Sequence, residues 1–183
     1  MSRGYKFQNP EGLYFVSFAT VGWIDVFTRV IYKDIVVESI KYCQKEKGLN
    51  LYAWVIMPNH IHMIAEAREG FLMQHIIRDL KRHTSKQLLK AIAENQEESR
   101  KEWMLAIFKN AGEYNSNNKN YQFWRQDNQP IEIWTTAVVK QKLDYLHSNP
   151  VHAGFVDKEE EYLYSSARDY HGTGKGLIEI LLL

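Results

Sequence analysis

Trp54-Val-Ile-Met-Pro-Asn-His60-Ile-His62-Met-Ile64 is the stretch on which the fold turns. Residues 51–57 form a β-branched and aromatic run that suits a buried strand, and 60–65 alternate as a second one. Pro58-Asn59 between them is a turn signal, so the two runs form a hairpin or meet at a bend. On a strand, residues two apart share a face. His60 and His62 therefore sit side by side while Ile61 faces the core. Two adjacent imidazoles can grip one metal ion, although a bare His-x-His is more often a pair of surface histidines.

Working outward, residues 13–20 (Leu-Tyr-Phe-Val-Ser-Phe-Ala-Thr) read as an earlier strand. Ile35, Val36, Ser39, Ile40 and Cys43 recur at helical spacing over 32–47, and Gly48 stops that helix. Leu72, Ile76, Leu80, Leu88 and Ile92 predict a long helix over 72–92 with a basic face, followed by a charged helical piece over 94–109. The Asn-, Gly- and Ser-rich stretch 110–120 reads as an exposed loop inserted in the domain. Residues 122–126 suit a short fourth strand. A last helix over 137–149 carries Val138, Lys142 and Tyr145 on one stripe and ends before Pro150. This order predicts an α+β, ferredoxin-like (split βαβ) antiparallel sheet with helices on one face and an added C-terminal helix carrying the tyrosine. The length of 183 residues fits a single domain over 1–183. The apolar tail 177–183 reads as a final strand, a docking segment or a subunit contact.

With 45% apolar and 25% charged residues the chain falls in the globular class, away from disorder. Its formal charge of +1 means that any affinity for nucleic acid must come from a local patch. Cys43 is the only cysteine, which excludes an intramolecular disulfide and a cysteine-rich zinc site. No signal-like or membrane-spanning run is evident, and a cytoplasmic location with no membrane partner is expected.

Tyr145 and Asn149 lie one helical turn apart, so a phenol and an amide oxygen project from the same face. Two imidazoles and one amide oxygen leave open positions on a divalent ion for a phosphate oxygen and water, as phosphoryl chemistry on Mg²⁺ or Mn²⁺ requires. A phenol with a pKa near ~10 holds little phenolate at neutral pH and gains from such an ion. Attack on a DNA phosphate would give a covalent phosphotyrosine and a free 3′-hydroxyl. Arg78, Lys81, Arg82 and Lys86 group along one helical side as candidate phosphate contacts. Trp124 beside Arg125, and Trp134, offer flat surfaces for unstacked bases. Asn59 either holds the bend or reaches a phosphate.

Trp54 to Ile64 resembles the signature of the single-tyrosine HUH transposases of the IS200-like superfamily, in the REP-associated tyrosine transposase branch, with Ile61 as the bulky apolar residue between the histidines. The segment from Tyr145 through Asn149-Pro150 to Val156 resembles that branch's tyrosine motif, and Tyr162-Leu-Tyr-Ser-Ser166 its following block. The similarity runs with gaps to about Tyr170 and takes in Lys81 to Lys86 and Phe123-Trp124-Arg125. It implies a ferredoxin-like fold, metal-assisted cleavage and joining of single-stranded DNA bearing hairpins, and a 5′-phosphotyrosine intermediate. By carry-over Tyr145 is the nucleophile and His60 and His62 are metal ligands. Asn149 is the third ligand, with His147 as a competitor, and either a monomer or a homodimer fits. Two rival readings stay open: a single-stranded nucleic-acid binding module without catalysis, and a phosphoesterase that uses the same ligands with water as nucleophile.

Overall fold

The computed structural model describes residues 7–114, 120–126 and 130–183. Strand β1 (Tyr14–Ala19) lies between β3 (His60–Ala67) and the two-residue β4 (Ile131–Glu132), and β2 (Leu49–Ile56) forms the other edge, giving the order β2-β3-β1-β4 with every pairing antiparallel. This is the sheet expected of a split βαβ domain.

Alternation along the strands divides the apolar residues between two cores. Tyr14, Val16, Phe18, Ile61 and Met63 face helices α1 (Val30–Glu46) and α2 (Met73–Glu94) in the larger one. Phe15, Val55 and Ile64 face the other way, with Leu146 of α4 (Thr136–His152) packed over them. A bulge between Leu51 and Ala53 re-phases β2, so that Leu51 and Trp54 both reach the larger core and Val55 turns to the α4 side. The added helix thus covers the sheet face that α1 and α2 leave open.

The free edge of β2 is closed by chain from beyond α4. Ile56 N–H donates to Tyr164 O at 2.9 Å, Ser166 N–H to Trp54 O at 3.0 Å, and the Tyr162 hydroxyl to Ile56 O at 2.9 Å. Further along, Leu181 N–H donates to Leu51 O at 2.9 Å while Ile178 is fully buried. The apolar tail is therefore a docking segment on an edge that would otherwise expose unpaired backbone groups, not a final strand.

Several boundaries differ from the sequence reading. The helical piece predicted over 94–109 breaks after α2, and α3 spans Lys101–Glu113, so residues 110–113 of the expected loop are helical while 115–119 lie outside the described residues. The predicted strand over 122–126 is reduced to one isolated bridge between Thr20 and Trp124, because its backbone bonds are shared between α3 (Gln122 N–H to Phe108 O, 2.8 Å) and the chain after β1 (Arg125 N–H to Ala19 O, 2.8 Å). Pro150 does not end α4, which runs on to His152. Its missing N–H frees only one carbonyl near the helix end, where Ala153 N–H to Asn149 O (3.0 Å) and Phe155 N–H to Pro150 O (2.9 Å) close the last turn. Among the described residues no helix is long and apolar enough to cross a membrane.

The break between α2 and α3 buries Glu98, whose carboxylate accepts from Arg29 Nε at 2.8 Å and Arg100 Nε at 3.0 Å. Arg100 also reaches Asp25, so the turn clamps the loop after β1. Burial alone would raise the Glu98 carboxyl, but bonds from Arg100 and Arg29 outweigh it and hold it down at about 2. A depressed carboxyl contributes stability that is complete above its unfolded value near ~4.5 and is lost as pH falls toward the folded value. Glu98→Ala is expected to cost about 2 kcal/mol at neutral pH, since it removes the buried carboxylate that two partly exposed guanidiniums share. It should also flatten the loss of stability between about pH 4.5 and 2. Urea unfolding across that range tests both, and a neutral-pH change within ~0.5 kcal/mol would contradict the clamp.

Candidate active site

The Pro58-Asn59 turn is held from both sides. Met57 N–H donates to His60 O at 2.9 Å, closing the hairpin. Phe27 N–H donates to Pro58 O at 2.8 Å and Thr20 N–H to Asn59 O at 2.9 Å, so the loop after β1 satisfies the turn's carbonyls. Asn59 uses its side chain too: Nδ2 donates to Trp23 O at 3.3 Å, which orients Oδ1 toward His60 Nδ1 at 2.6 Å. With Oδ1 accepting, the His60 proton sits on Nδ1 and the lone pair on Nε2.

On β1, Ser17 lies opposite His62 and Ala19 opposite His60, and these small side chains leave room for two rings. The imidazoles stand 4.7 Å apart between centroids. His62 stacks on Phe15 at 5.1 Å and meets the Tyr145 ring edge-on at 5.4 Å. It is only 5% exposed, and neither ring nitrogen has a hydrogen-bond partner. Burial, with His60 and Lys142 adding to it, pushes its pKa down to about 3. Burial also lowers His60, opposed by the Asn149 side chain, whose oxygen can accept from the ring only in the ring's protonated form. Both rings are neutral at neutral pH, the state in which imidazole binds metal.

Asn149 Nδ2 donates to Tyr145 O at 2.7 Å, which leaves its Oδ1 available toward His60. Among the described residues no group of three or more His, Cys, Asp or Glu could hold a metal ion; the candidate donors here are two imidazoles and an amide oxygen. That set, with buried nitrogens lacking partners, fits a divalent cation that retains positions for water or phosphate. His147 is no competitor for the third place. It is buried on another side of α4, 2.9 Å from Ser166 Oγ and against Tyr170, and burial there lowers its pKa to about 4.

Tyr145 is 48% exposed, and its ring leans on Phe15 at 6.0 Å. Lys142, one turn earlier, holds its ammonium 5.0 Å above the Phe15 ring. Helical spacing puts Lys142 on the tyrosine's stripe, but nothing in the sequence pattern marks its charge, Phe15 or Trp23 as part of the site. Trp23 stands 6.0 Å from the His60 ring and is capped by the Arg125 guanidinium at 5.2 Å.

The candidate DNA-contacting residues are not one surface. Trp124 is 5% exposed, packs on Phe18 and Phe27, and donates Nε1–H to Thr84 Oγ1 at 3.0 Å. It is a core residue and offers no face to a base, whereas Trp134 is 75% exposed. Lys81 turns inward, donating to Arg125 O at 2.7 Å. Arg78 pairs with Asp79 at 2.9 Å, and Arg82 and Lys86 border a groove between α1 and α2. The basic stripe read from helical spacing is thus split between two places.

The family model described as "Transposase IS200 like" matches residues 23–122, more than half of the chain, including both histidines but not Tyr145 or Asn149. No curated protein matches the chain in sequence. Among solved structures, a REP-associated tyrosine transposase bound to a REP hairpin aligns over 99% of this chain and 92% of its own, at 17% identity and a TM-score of 0.67, which shows a shared fold. A putative transposase from Deinococcus radiodurans R1 aligns over 80% of this chain and 97% of its own, at 19% identity and a TM-score of 0.44.

A buried imidazole with no partners costs stability that a bound ion would return. His62→Leu is therefore expected to raise the unfolding free energy of chelator-treated protein by about 1–3 kcal/mol while abolishing its stabilisation by Mn²⁺. Equilibrium unfolding with and without the metal measures both. A variant still stabilised by Mn²⁺ would remove His62 from the ligand set.

Proposed function

Because the chain belongs to the IS200-like transposase family, we propose that it cuts and rejoins single-stranded DNA, with Tyr145 as nucleophile and His60, His62 and Asn149 holding a divalent ion, Mg²⁺ or Mn²⁺. The observation that carries this reading is the convergence of two neutral imidazoles, an available amide oxygen and a half-exposed phenol on one end of the sheet. When bound, the ion would neutralise phosphate charge and polarise a phosphoryl oxygen.

The residues of the chain divide the remaining work. Asn59 fixes the His60 tautomer. Phe15 and the Tyr145 ring exclude water from His62. Lys142 supplies a second positive charge beside the tyrosine, where a phosphate and a developing phenolate are both favoured. The Tyr145 oxygen attacks the phosphorus, an O–P bond forms as the phenol proton leaves, and the bond to the 3′ oxygen breaks. That oxygen takes the electron pair and a proton to become a 3′-hydroxyl. The 5′-phosphotyrosine retains the phosphoester, so a second strand's 3′-hydroxyl can displace Tyr145 without an external energy source.

The relative bound to a REP hairpin makes hairpin DNA with single-stranded flanks the substrate class to test first. With 3′-labelled hairpin DNA and Mn²⁺, the protein is expected to yield a label that stays with protein on a denaturing gel. Tyr145→Phe, which loses one oxygen, should form no adduct yet bind DNA as before. His60→Ala should lose the adduct and lower metal affinity together. Cleaved DNA with no adduct would assign attack to water, and binding with no cleavage would favour a binding module. An adduct with Tyr145→Phe would assign the nucleophile elsewhere.

A further inference from the structure

Among the described residues, Trp23 is the one non-glycine whose φ, 55°, lies in the left-handed region, and it follows Gly22 at φ 65°. A bulky side chain rarely adopts that backbone conformation. Here it turns an indole outward to 53% exposure, where burial would be the ordinary fate of a tryptophan. The turn is fixed on both sides. Trp23 N–H donates to Thr20 O at 3.1 Å, Val21 N–H to Phe123 O at 2.8 Å, and Asn59 Nδ2 to Trp23 O at 3.3 Å.

Asn59 is the residue whose Oδ1 orients His60, so a single amide sets the imidazole and the indole together. The Trp23 ring stands edge-on to His60 at 6.0 Å, and the Arg125 guanidinium lies 5.2 Å from the Trp23 ring centre. Trp23 and Arg125 also border an open cleft that Tyr114, itself 92% exposed, helps to line. An exposed aromatic plane, a cation against it and a second exposed ring lining the same cleft suit an unpaired nucleobase and its phosphate.

We infer that Trp23, with Arg125 beside it, is a stacking platform for an unpaired base of the DNA strand next to the phosphate under attack. This rests on the proposed single-strand reading and deepens it. The platform fixes the strand's register at the histidine pair. Trp23 takes the role expected of Trp124 from the sequence, because the exposed indole comes from the loop after β1 while Trp124 is buried against Phe18 and Phe27.

The test measures binding of fluorescently labelled oligothymidylate by anisotropy over a salt series, because stacking tolerates any base. Trp23→Ala is expected to weaken binding about tenfold with an unchanged salt slope. Trp23→Phe should restore most of that affinity, and Arg125→Ala should lower the slope by about one. Unfolding midpoints matching the wild type show that the variants fold. Photocrosslinking with a 5-iodouracil-substituted strand should place the adduct on the peptide containing Trp23.

Equal binding by wild type and Trp23→Ala would overturn the platform, and so would a Phe variant as weak as the Ala one. Wild-type protein that binds no single strand would overturn both this inference and the proposed function. A Trp23-dependent affinity in a protein that forms no Tyr145 adduct would support the platform and sink strand transfer alone.

Discussion

Enclosing His62 between Phe15, Tyr145 and its neighbour His60, with no partner for either ring nitrogen, is the constraint on which the rest of the site depends. A neutral imidazole left unpaired in an apolar setting is costly, and native structures rarely retain one without a use for it. The hairpin register creates the situation. Ile61 and Met63 must face the larger core, so His60 and His62 are forced to the opposite face. The added helix α4 then covers that face and brings Tyr145 and Asn149 to the same end of the sheet.

The two faces divide the labour of the fold. The larger core beneath α1 and α2 holds most of the large buried side chains and fixes the strands. The smaller one is an apolar patch of Phe15, Val55, Ile64 and Leu146 that seats α4. Its contacts with the sheet decide how far the tyrosine stands from the histidines. Ser166 strengthens that seating: its hydroxyl accepts from Trp54 N–H at 3.0 Å and lies 2.9 Å from His147 Nε2, so one buried group joins β2 to α4. The segment Tyr162 to Ser166, which resembles a family block, thus serves the position of the helix.

Much of this was legible in the sequence. Period-two alternation, the Pro58-Asn59 turn and Gly48 after a helical stretch gave the topology, because each reflects a local preference that the fold obeys. The His60, His62, Tyr145 and Asn149 constellation was legible from spacing together with family resemblance. The fourth strand was not, since β4 is two residues long and carries no periodic signal, whereas 122–126 looks like a strand but spends its backbone bonds on α3 and the loop after β1. The burial of Trp124 was not legible for a related reason. Exposure is a tertiary property, and nothing local distinguishes an indole sealed under Phe18 from one turned outward by a left-handed backbone. The basic residues of α2 share a stripe by helical geometry alone, but Lys81 is drawn to the Arg125 carbonyl across the sheet end.

The proposed chemistry stands or falls on whether the histidine pair and Asn149 hold one divalent ion. The most direct measurement is anomalous diffraction from crystals grown with Mn²⁺. A single strong peak within bonding distance of His60 Nε2, a ring nitrogen of His62 and Asn149 Oδ1 is expected. An ion bound elsewhere, or crystals saturated with Mn²⁺ that show no peak between these three side chains, would contradict it.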